Sequence, residues 1–281
     1  MLIFNNKADL RSHLSRYTSK DSSIGFVPTM GALHRGHLSL LEQSVKENTI
    51  TVISIFVNPT QFNNPDDLKK YPRTLEADVV KIEAISKDIV VFAPSVNEMY
   101  DGNAQSVSFS FDGLENQMEG SHRPGHFDGV GTIVKKLFEY VQPTNAYFGE
   151  KDFQQLQIVK KLVVKNNIPV NVVGCPITRE SNGLAMSSRN QRLTEAEREI
   201  ASFIYKTLIV AKDQFANNKI DYIKQYVIEA FKARPEFELE YFEIAAEDDL
   251  ISATLKEDKK YRAFIAVMLS NVRLIDNISL N

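Results

Sequence analysis

Two histidines three residues apart, His34 and His37, flank Arg35-Gly36 directly after the run Ile24-Gly25-Phe26-Val27-Pro28-Thr29-Met30-Gly31-Ala32-Leu33. Imidazole N–H groups donate to phosphate oxygens and follow the charge that grows on them as a phosphoanhydride breaks. The intervening glycine lets backbone approach a ligand. With a strand ending at Pro28 and a helix starting near His37, exposed amides and the positive end of the helix would add to that attraction. On a plain exposed loop the same spacing would be a surface pair with no task, so the flanking elements decide between the two.

A second cluster, Gly149-Glu150-Lys151-Asp152 before Phe153-Gln154-Gln155, repeats the pattern of strand, glycine, charged turn and helix. Lys151 would place a point charge on a phosphate; alternatively the turn is a solvated one in which Asp152 caps the helix. A third, Gly183-Leu184-Ala185-Met186-Ser187-Ser188-Arg189-Asn190, joins hydroxyls to a guanidinium behind a glycine. Such groups suit a polyphosphate, although a Ser, Asn and Gly-rich stretch is also the composition of a linker.

These clusters need a scaffold that brings strand ends together. Apolar, β-branched runs at Ile24 to Pro28, Ile50 to Val57, Ile89 to Phe92, Ala146 to Gly149 and Val170 to Gly174 alternate with helical periodicity at Ser39 to Glu47, Leu75 to Ser86, Gly129 to Val141 and Gln154 to Asn166. Strands apolar on both faces and separated by helices predict a doubly wound parallel sheet, whose ligands sit beyond the carboxyl ends of the strands. After about Cys175 the pattern changes. One long helical stretch, Thr194 to about Asn217, and a second, Asp221 to Ala233, precede strands at Phe237 to Ile244, Tyr261 to Met268 and Val272 to Leu280. This predicts an α/β domain over residues 1–176 and a smaller α+β domain over 177–281.

The 281 residues carry 33 basic and 36 acidic side chains, for a net charge of -3, so no global field draws nucleic acid or an anionic membrane. The single cysteine, Cys175, has no partner for an internal disulfide and no zinc-ligand spacing around it. No signal-peptide pattern and no membrane-length apolar run is present. A cytoplasmic protein without membrane or nucleic-acid partners is expected.

Taken together, Pro28-Thr29-Met30-Gly31-Ala32-Leu33-His34-x-Gly36-His37, Phe56-Val57-Asn58-Pro59-x-Gln61-Phe62, Tyr71-Pro72-Arg73-Thr74, Gly149-Glu150-Lys151-Asp152-x-Gln154-Gln155 and Gly183 to Asn190 resemble the pantothenate synthetase family, also called pantoate–β-alanine ligases. His-x-Gly-His alone is shared with class I aminoacyl-tRNA synthetases and small nucleotidylyltransferases; the ordered set is far more specific. The resemblance implies a Rossmann-like, nucleotidylyltransferase-type domain, with the smaller domain covering the active site. The implied reaction is an ATP-dependent condensation of pantoate with β-alanine through a pantoyl-adenylate, in a homodimer and with Mg2+ accompanying ATP.

By the same resemblance His37, His34 and Lys151 are catalytic. Met30, Gly31, Ala32, Leu33, His34, Arg35, Gly36, His37, Gly149, Glu150, Lys151, Asp152, Thr178, Met186, Ser187, Ser188 and Arg189 would bind ATP. Gln61 and Gln155 would hold pantoate, with Gln61 also near β-alanine. An amide suits that task because it offers donors and an acceptor without a charge that repels or traps the reactants. Phe62 and Met30 would wall the apolar part of the acid. The metal ligands stay open: Glu76-Ala77-Asp78 stands where some family members have adjacent acidic residues, leaving Asp78 as a direct or water-mediated contact. Glu119 to Gly129, with His122 and His126, is either a mobile cover or a plain polar connection, and neither histidine joins the catalytic set. A nucleotidylyltransferase that keeps AMP on its product and a nucleotide-binding regulator without turnover are the alternatives.

Overall fold

The computed structural model describes residues 1–17, 19 and 21–281. They form two compact units. The first comprises residues 1–115, 119–150 and 155–176, the second residues 116–118, 151–154 and 177–281.

In chain order, the first unit contains β1 (Leu2–Phe4), α1 (Lys7–Leu14), β2 (Ile24–Thr29), α2 (Arg35–Glu47), β3 (Ile50–Ile55), α3 (Pro65–Lys70), α4 (Leu75–Glu83), β4 (Val90–Phe92) and α5 (Val96–Tyr100). There follow α6 (Met118–His122), α7 (His126–Val141), β5 (Asn145–Gly149), α8 (Phe153–Lys165) and β6 (Asn171–Cys175), the first residue of α6 and the first two of α8 falling in the second unit. The six strands make one sheet in the order β1-β4-β3-β2-β5-β6, with every pair parallel. Alternate residues of β2 explain the two covering layers. Phe26 meets Phe138 of α7 edge-on, with centroids 6.2 Å apart, while Val27 packs with Leu40 and Leu41 of α2 and Ile82 of α4 on the opposite face. Because β3 and β5 lie on either side of β2, the chain reverses direction across the sheet there, and the crevice at a doubly wound sheet's switch point opens beyond β2 and β5.

The sequence does not reveal β1, a three-residue strand at the sheet edge with Leu2 half exposed. Its hydrogen bonds to β4, rather than a burial pattern, make it a strand.

The second unit contains α9 (Glu195–Ala201), α10 (Phe203–Phe215), α11 (Ile220–Lys232), β7 (Phe237–Ala246), β8 (Tyr261–Leu269) and β9 (Val272–Ser279). The three strands form an antiparallel sheet in chain order. Leu208, Ile223, Val227, Ile244, Ile265 and Val267 share its core with the helices. Helix α9 opens on a capping box, Thr194 and Glu197 each accepting the other's backbone amide. The long helix expected from there to Asn217 is instead two. At Ser202 both the amide and the hydroxyl donate to Glu199 O, the hydroxyl at 2.6 Å, and this back-bonding tightens the turn and separates α9 from α10. Among the described residues no helix is long and apolar enough to cross a membrane.

Candidate active site

The chain leaves β2 through Met30 and turns with Gly31 at φ +81° and Ala32 at φ +50°. A side chain at Gly31 would crowd Ile55 and Asp78 at 3.0 and 3.2 Å, so the turn needs glycine for space as well as for backbone conformation. Ala32, with a Cβ, holds left-handed geometry at a cost of about 1–2 kcal/mol. What maintains it is Asp78, fully buried on α4, whose two oxygens accept the amides of Ala32 at 2.8 Å and Leu33 at 2.7 Å. Thr74 Oγ1 donates to the same carboxylate at 3.1 Å, and Lys81 Nζ lies 3.8 Å from it while donating to Leu33 O at 2.7 Å.

Helix α2 starts earlier than its apolar periodicity suggests, at Arg35, with His34 as its N-cap. His34 Nδ1 accepts the Gly36 amide at 3.1 Å, and His37 Nδ1 accepts the His34 amide at 3.4 Å. The amides of His37 and Leu38 turn back to His34 O. The amides of Gly36, His37 and Leu38 are therefore consumed within the turn, which corrects the expectation that such amides would hold an anion. In a neutral ring whose Nδ1 accepts, the proton sits on Nε2, so the two imidazoles, 4.0 Å apart between centroids, carry the donor role through that atom. Arg35 contributes no guanidinium to this cluster: its fork binds Glu42 about two turns along α2.

Gln61 closes a 3-10 turn, Pro59–Gln61, and is 9% exposed rather than part of a surface loop. Its Nε2 lies 3.1 Å from Met30 Sδ, which brings the expected acid-binding amide to the turn after β2. Its carbonyl accepts from His126 Nδ1 at 2.8 Å and from Arg123 at 3.4 Å. The stretch Glu119 to Gly129 thus spans the end of α6, a turn at Arg123 to Gly125 and the start of α7, and is tied to Gln61 through Arg123 and His126, with His126 buried. Phe62 meets Tyr71 edge-on at 5.6 Å. Asn58, 1% exposed, donates to Gln61 Oε1 at 3.2 Å and Tyr100 donates to Asn58 Oδ1 at 2.5 Å. Sequence reasoning gave neither residue a role; Asn58 sits inside a quoted motif, but Tyr100 reaches it from 42 positions away with no local signal.

Gly149 ends β5, and a Cβ there would meet open space. Gln155 is half-buried on α8, while its neighbour Gln154 is buried and donates to Gln117 O at 2.9 Å.

In the second unit, Lys151 and Asp152 form an ion pair of 3.8 Å, with the lysine the less exposed partner. Asn277 Nδ2 donates to Lys151 O at 2.9 Å, and Arg262 donates to Asn277 Oδ1 at 2.6 Å. Next to Asn277, Asp276 takes both arms of Arg179 at 2.6 and 3.0 Å, and Arg179 lies over the Tyr205 ring at 3.6 Å. Burial pushes the Asp276 carboxyl up, and the Arg179 fork pulls it back. The glycine-led stretch is not a linker. Arg179 and Ala185 form a β-bridge, Met186 N donates to Thr178 O, and Asn190 donates to Glu180 and Ala185 O. Ser187 caps the 3-10 turn Ser188–Arg192 by accepting the Arg189 amide at 3.3 Å, and Ser188 is buried.

Asp78 does not fit a magnesium ligand, because its oxygens are already committed to two amides and a hydroxyl. Among the described residues no group of three or more His, Cys, Asp or Glu is placed to hold a metal.

A family model described as Pantoate-beta-alanine ligase matches residues 2–279. The pantothenate synthetase of Flavobacterium psychrophilum is 59% identical over 281 residues, covering 100% of both chains. That of Christiangramia forsetii is 50% identical over 282 residues, again covering 100% of each. Among solved structures, pantothenate synthetase from Thermus thermophilus superposes with a TM-score of 0.91 at 40% identity, over 100% of this chain and 99% of that one. The pantoate-beta-alanine ligase of Francisella tularensis, complexed with beta-gamma ATP and beta-alanine, gives 0.81 at 38% identity, over 100% and 98%.

Proposed function

Since this chain belongs to the pantoate-beta-alanine ligase family, we propose that it joins pantoate to β-alanine at the expense of ATP, through a pantoyl-adenylate. A pantoate carboxylate oxygen attacks the α-phosphorus, the bond to the β-phosphate oxygen breaks, and pyrophosphate leaves. The β-alanine amine then attacks the acyl carbon, loses a proton and expels AMP.

One observation carries this reading: the Gln61 amide lies 3.1 Å from Met30, in the turn that runs into His34 and His37. An acid held by Gln61 thereby lies beside a turn whose imidazoles donate through Nε2 to phosphate oxygens. Those donors are preorganised by the helix cap and so strengthen most where negative charge grows on the departing phosphate. Lys151 and Arg189 supply positive charge suited to phosphate. Gln155 assists Gln61 with pantoate, and no protein nucleophile is needed, since placement of two substrates and neutralisation of charge account for the rate. Magnesium, when present, neutralises phosphate charge, and the described residues show no carboxylate cluster for it. The complex of the Francisella tularensis relative with beta-gamma ATP and beta-alanine supports the same substrate pair for this chain.

The test is to supply purified protein with ATP, magnesium, pantoate and β-alanine and to quantify AMP, pyrophosphate and pantothenate. Equal yields of the three are expected. Pyrophosphate without an amide product would instead make the protein a nucleotidylyltransferase, and ATP binding without turnover would make it a regulator.

A further inference from the structure

Tyr100 lies at the end of α5, outside every motif that marks the site. Its hydroxyl donates to Asn58 Oδ1, and Thr60 Oγ1 stands 3.1 Å from that hydroxyl and 3.2 Å from the same Oδ1. Burial pushes the Tyr100 phenol up, so it keeps its proton at neutral pH. The far end of the Asn58 amide faces Gly129 O at 3.1 Å. A backbone carbonyl only accepts, so Nδ2 must face it and Oδ1 must face the hydroxyls. The Gly129 carbonyl therefore dictates the orientation of Asn58, and the Tyr100 and Thr60 hydroxyls hold it by donating to Oδ1.

The consequence passes to Gln61. The second Nδ2 proton goes to Gln61 Oε1, which turns Gln61 Nε2 toward Met30 Sδ. A thioether is a weak acceptor, readily exchanged for a substrate oxygen. Gly129 is what lets α7 bring its carbonyl this close. A Cβ there would strike the backbone of Thr60 and come within 2.7 Å of Gln61 Cα.

We propose that Tyr100 is a positioning residue which, through Asn58, fixes the polarity of the Gln61 amide so that the site offers a donor rather than an acceptor to an oxygen of the acid substrate. This rests on the reading that Gln61 holds that acid. A side-chain amide turned by 180° fits almost the same space, so packing alone would leave Gln61 free to present either end. The relay removes that choice and favours an ionised carboxylate or a hydroxyl oxygen over a group that must itself donate.

Nuclear magnetic resonance of the wild-type chain without substrate reads the orientation directly. The Gln61 side-chain amide protons, assigned by their loss in Gln61→Glu, should show contacts to the Met30 methyl; contacts to the Asn58 amide instead would overturn the proposal. Tyr100→Phe keeps the ring and deletes the donor. It should speed exchange of the Gln61 amide protons and raise the KM for pantoate by about tenfold, as for one lost buried hydrogen bond, with the KM for ATP within about twofold of wild type. Equal rises in both constants, or a fall in kcat alone with Gln61 exchange unchanged, would mean a merely structural tyrosine. If wild-type protein forms no pantothenate, the reading of function falls, while the Met30 contact still decides the amide's orientation.

Discussion

The turn from Met30 to Leu33 is held by a carboxylate, whereas the Gln61 side-chain amide, which touches that turn at Met30, is oriented by the uncharged amide of Asn58. Each device suits what it holds. The turn contains two consecutive residues at positive φ, one of them an alanine, and needs strong acceptors to stay in place. Charge-assisted bonds supply this, at about 1.5–3 kcal/mol each. A buried anion beside a phosphate site would be a liability if its field were open. Here both oxygens accept amides and Lys81 stands 3.8 Å away, so the charge is spent on the backbone. On the proposed reading, the group that comes to Gln61 is itself a carboxylate. A fixed cation there would trap it and an anion would repel it, and a relay of neutral amides and hydroxyls does neither.

Breaking the charged half should have the largest effect. Asp78→Ala leaves two buried amides without acceptors, and a loss of about 4 kcal/mol of unfolding free energy is expected, measured by urea denaturation. Asp78→Asn keeps one acceptor oxygen and should lose about half of that, while raising the KM for ATP more than that for pantoate. Equal effects on both constants would mean that the clamp serves the fold and not the nucleotide turn.

His37 separates the two duties of the turn. In His37→Asn the side-chain oxygen replaces Nδ1 as acceptor for the His34 amide, but nothing replaces the Nε2 donor. Pyrophosphate release should slow by about a hundredfold, as for a lost preorganised donor, while the melting temperature stays near that of wild type. Slow turnover together with a lower melting temperature would show that the cap, rather than the donor, was lost.

The neutral half is probed by Gly129→Ala. The added methyl meets the backbone of Thr60 and Gln61, and overpacking of this kind costs about 1–3 kcal/mol. The expected signature is a raised KM for pantoate with that for ATP nearly unchanged, the reverse of Asp78→Asn. If the two variants shift both constants alike, the turn and the relay are one cooperative unit and the contrast between them disappears.

The two halves also differ in how much of them the sequence carries. His34, His37 and Gln61 stand in short motifs that mark them as candidates, and the alternation of apolar strands with helices suffices for the parallel sheet. What holds those residues is written elsewhere. Asp78 is 46 residues from Ala32, and Tyr100 is 42 from Asn58, so no local period or cap signal joins them. Asp78 was legible only as an acidic residue on a helix, from which a metal contact is as natural an inference as a backbone clamp. The choice between them depends on where its two oxygens point. The break at Ser202 is of the same kind: the residues on either side favour helix, and the bonds of its amide and hydroxyl to Glu199 O mark where it ends.

Cys175, at the end of β6, adds a third treatment to the comparison, a titratable group kept neutral by burial. It is buried, and burial together with the nearby Glu47 and Glu150 pushes its thiol up to about 12. In the unfolded chain such a thiol titrates near 8.5, so between about pH 9 and pH 12 the unfolded state has lost a proton that the folded state retains. Stability from this group is therefore full below that window and declines as pH rises through it. Tyr147, also raised to about 12, adds to the same decline from about pH 10 upward. Cys175→Ala should flatten only the cysteine's share, which is read from the slope of unfolding free energy against pH, because the smaller side chain also lowers stability by a constant amount at every pH. An unchanged slope, or alkylation of the native thiol by iodoacetamide at pH 8 as fast as in urea, would show that the β6 end opens to water on the time scale of the reagent.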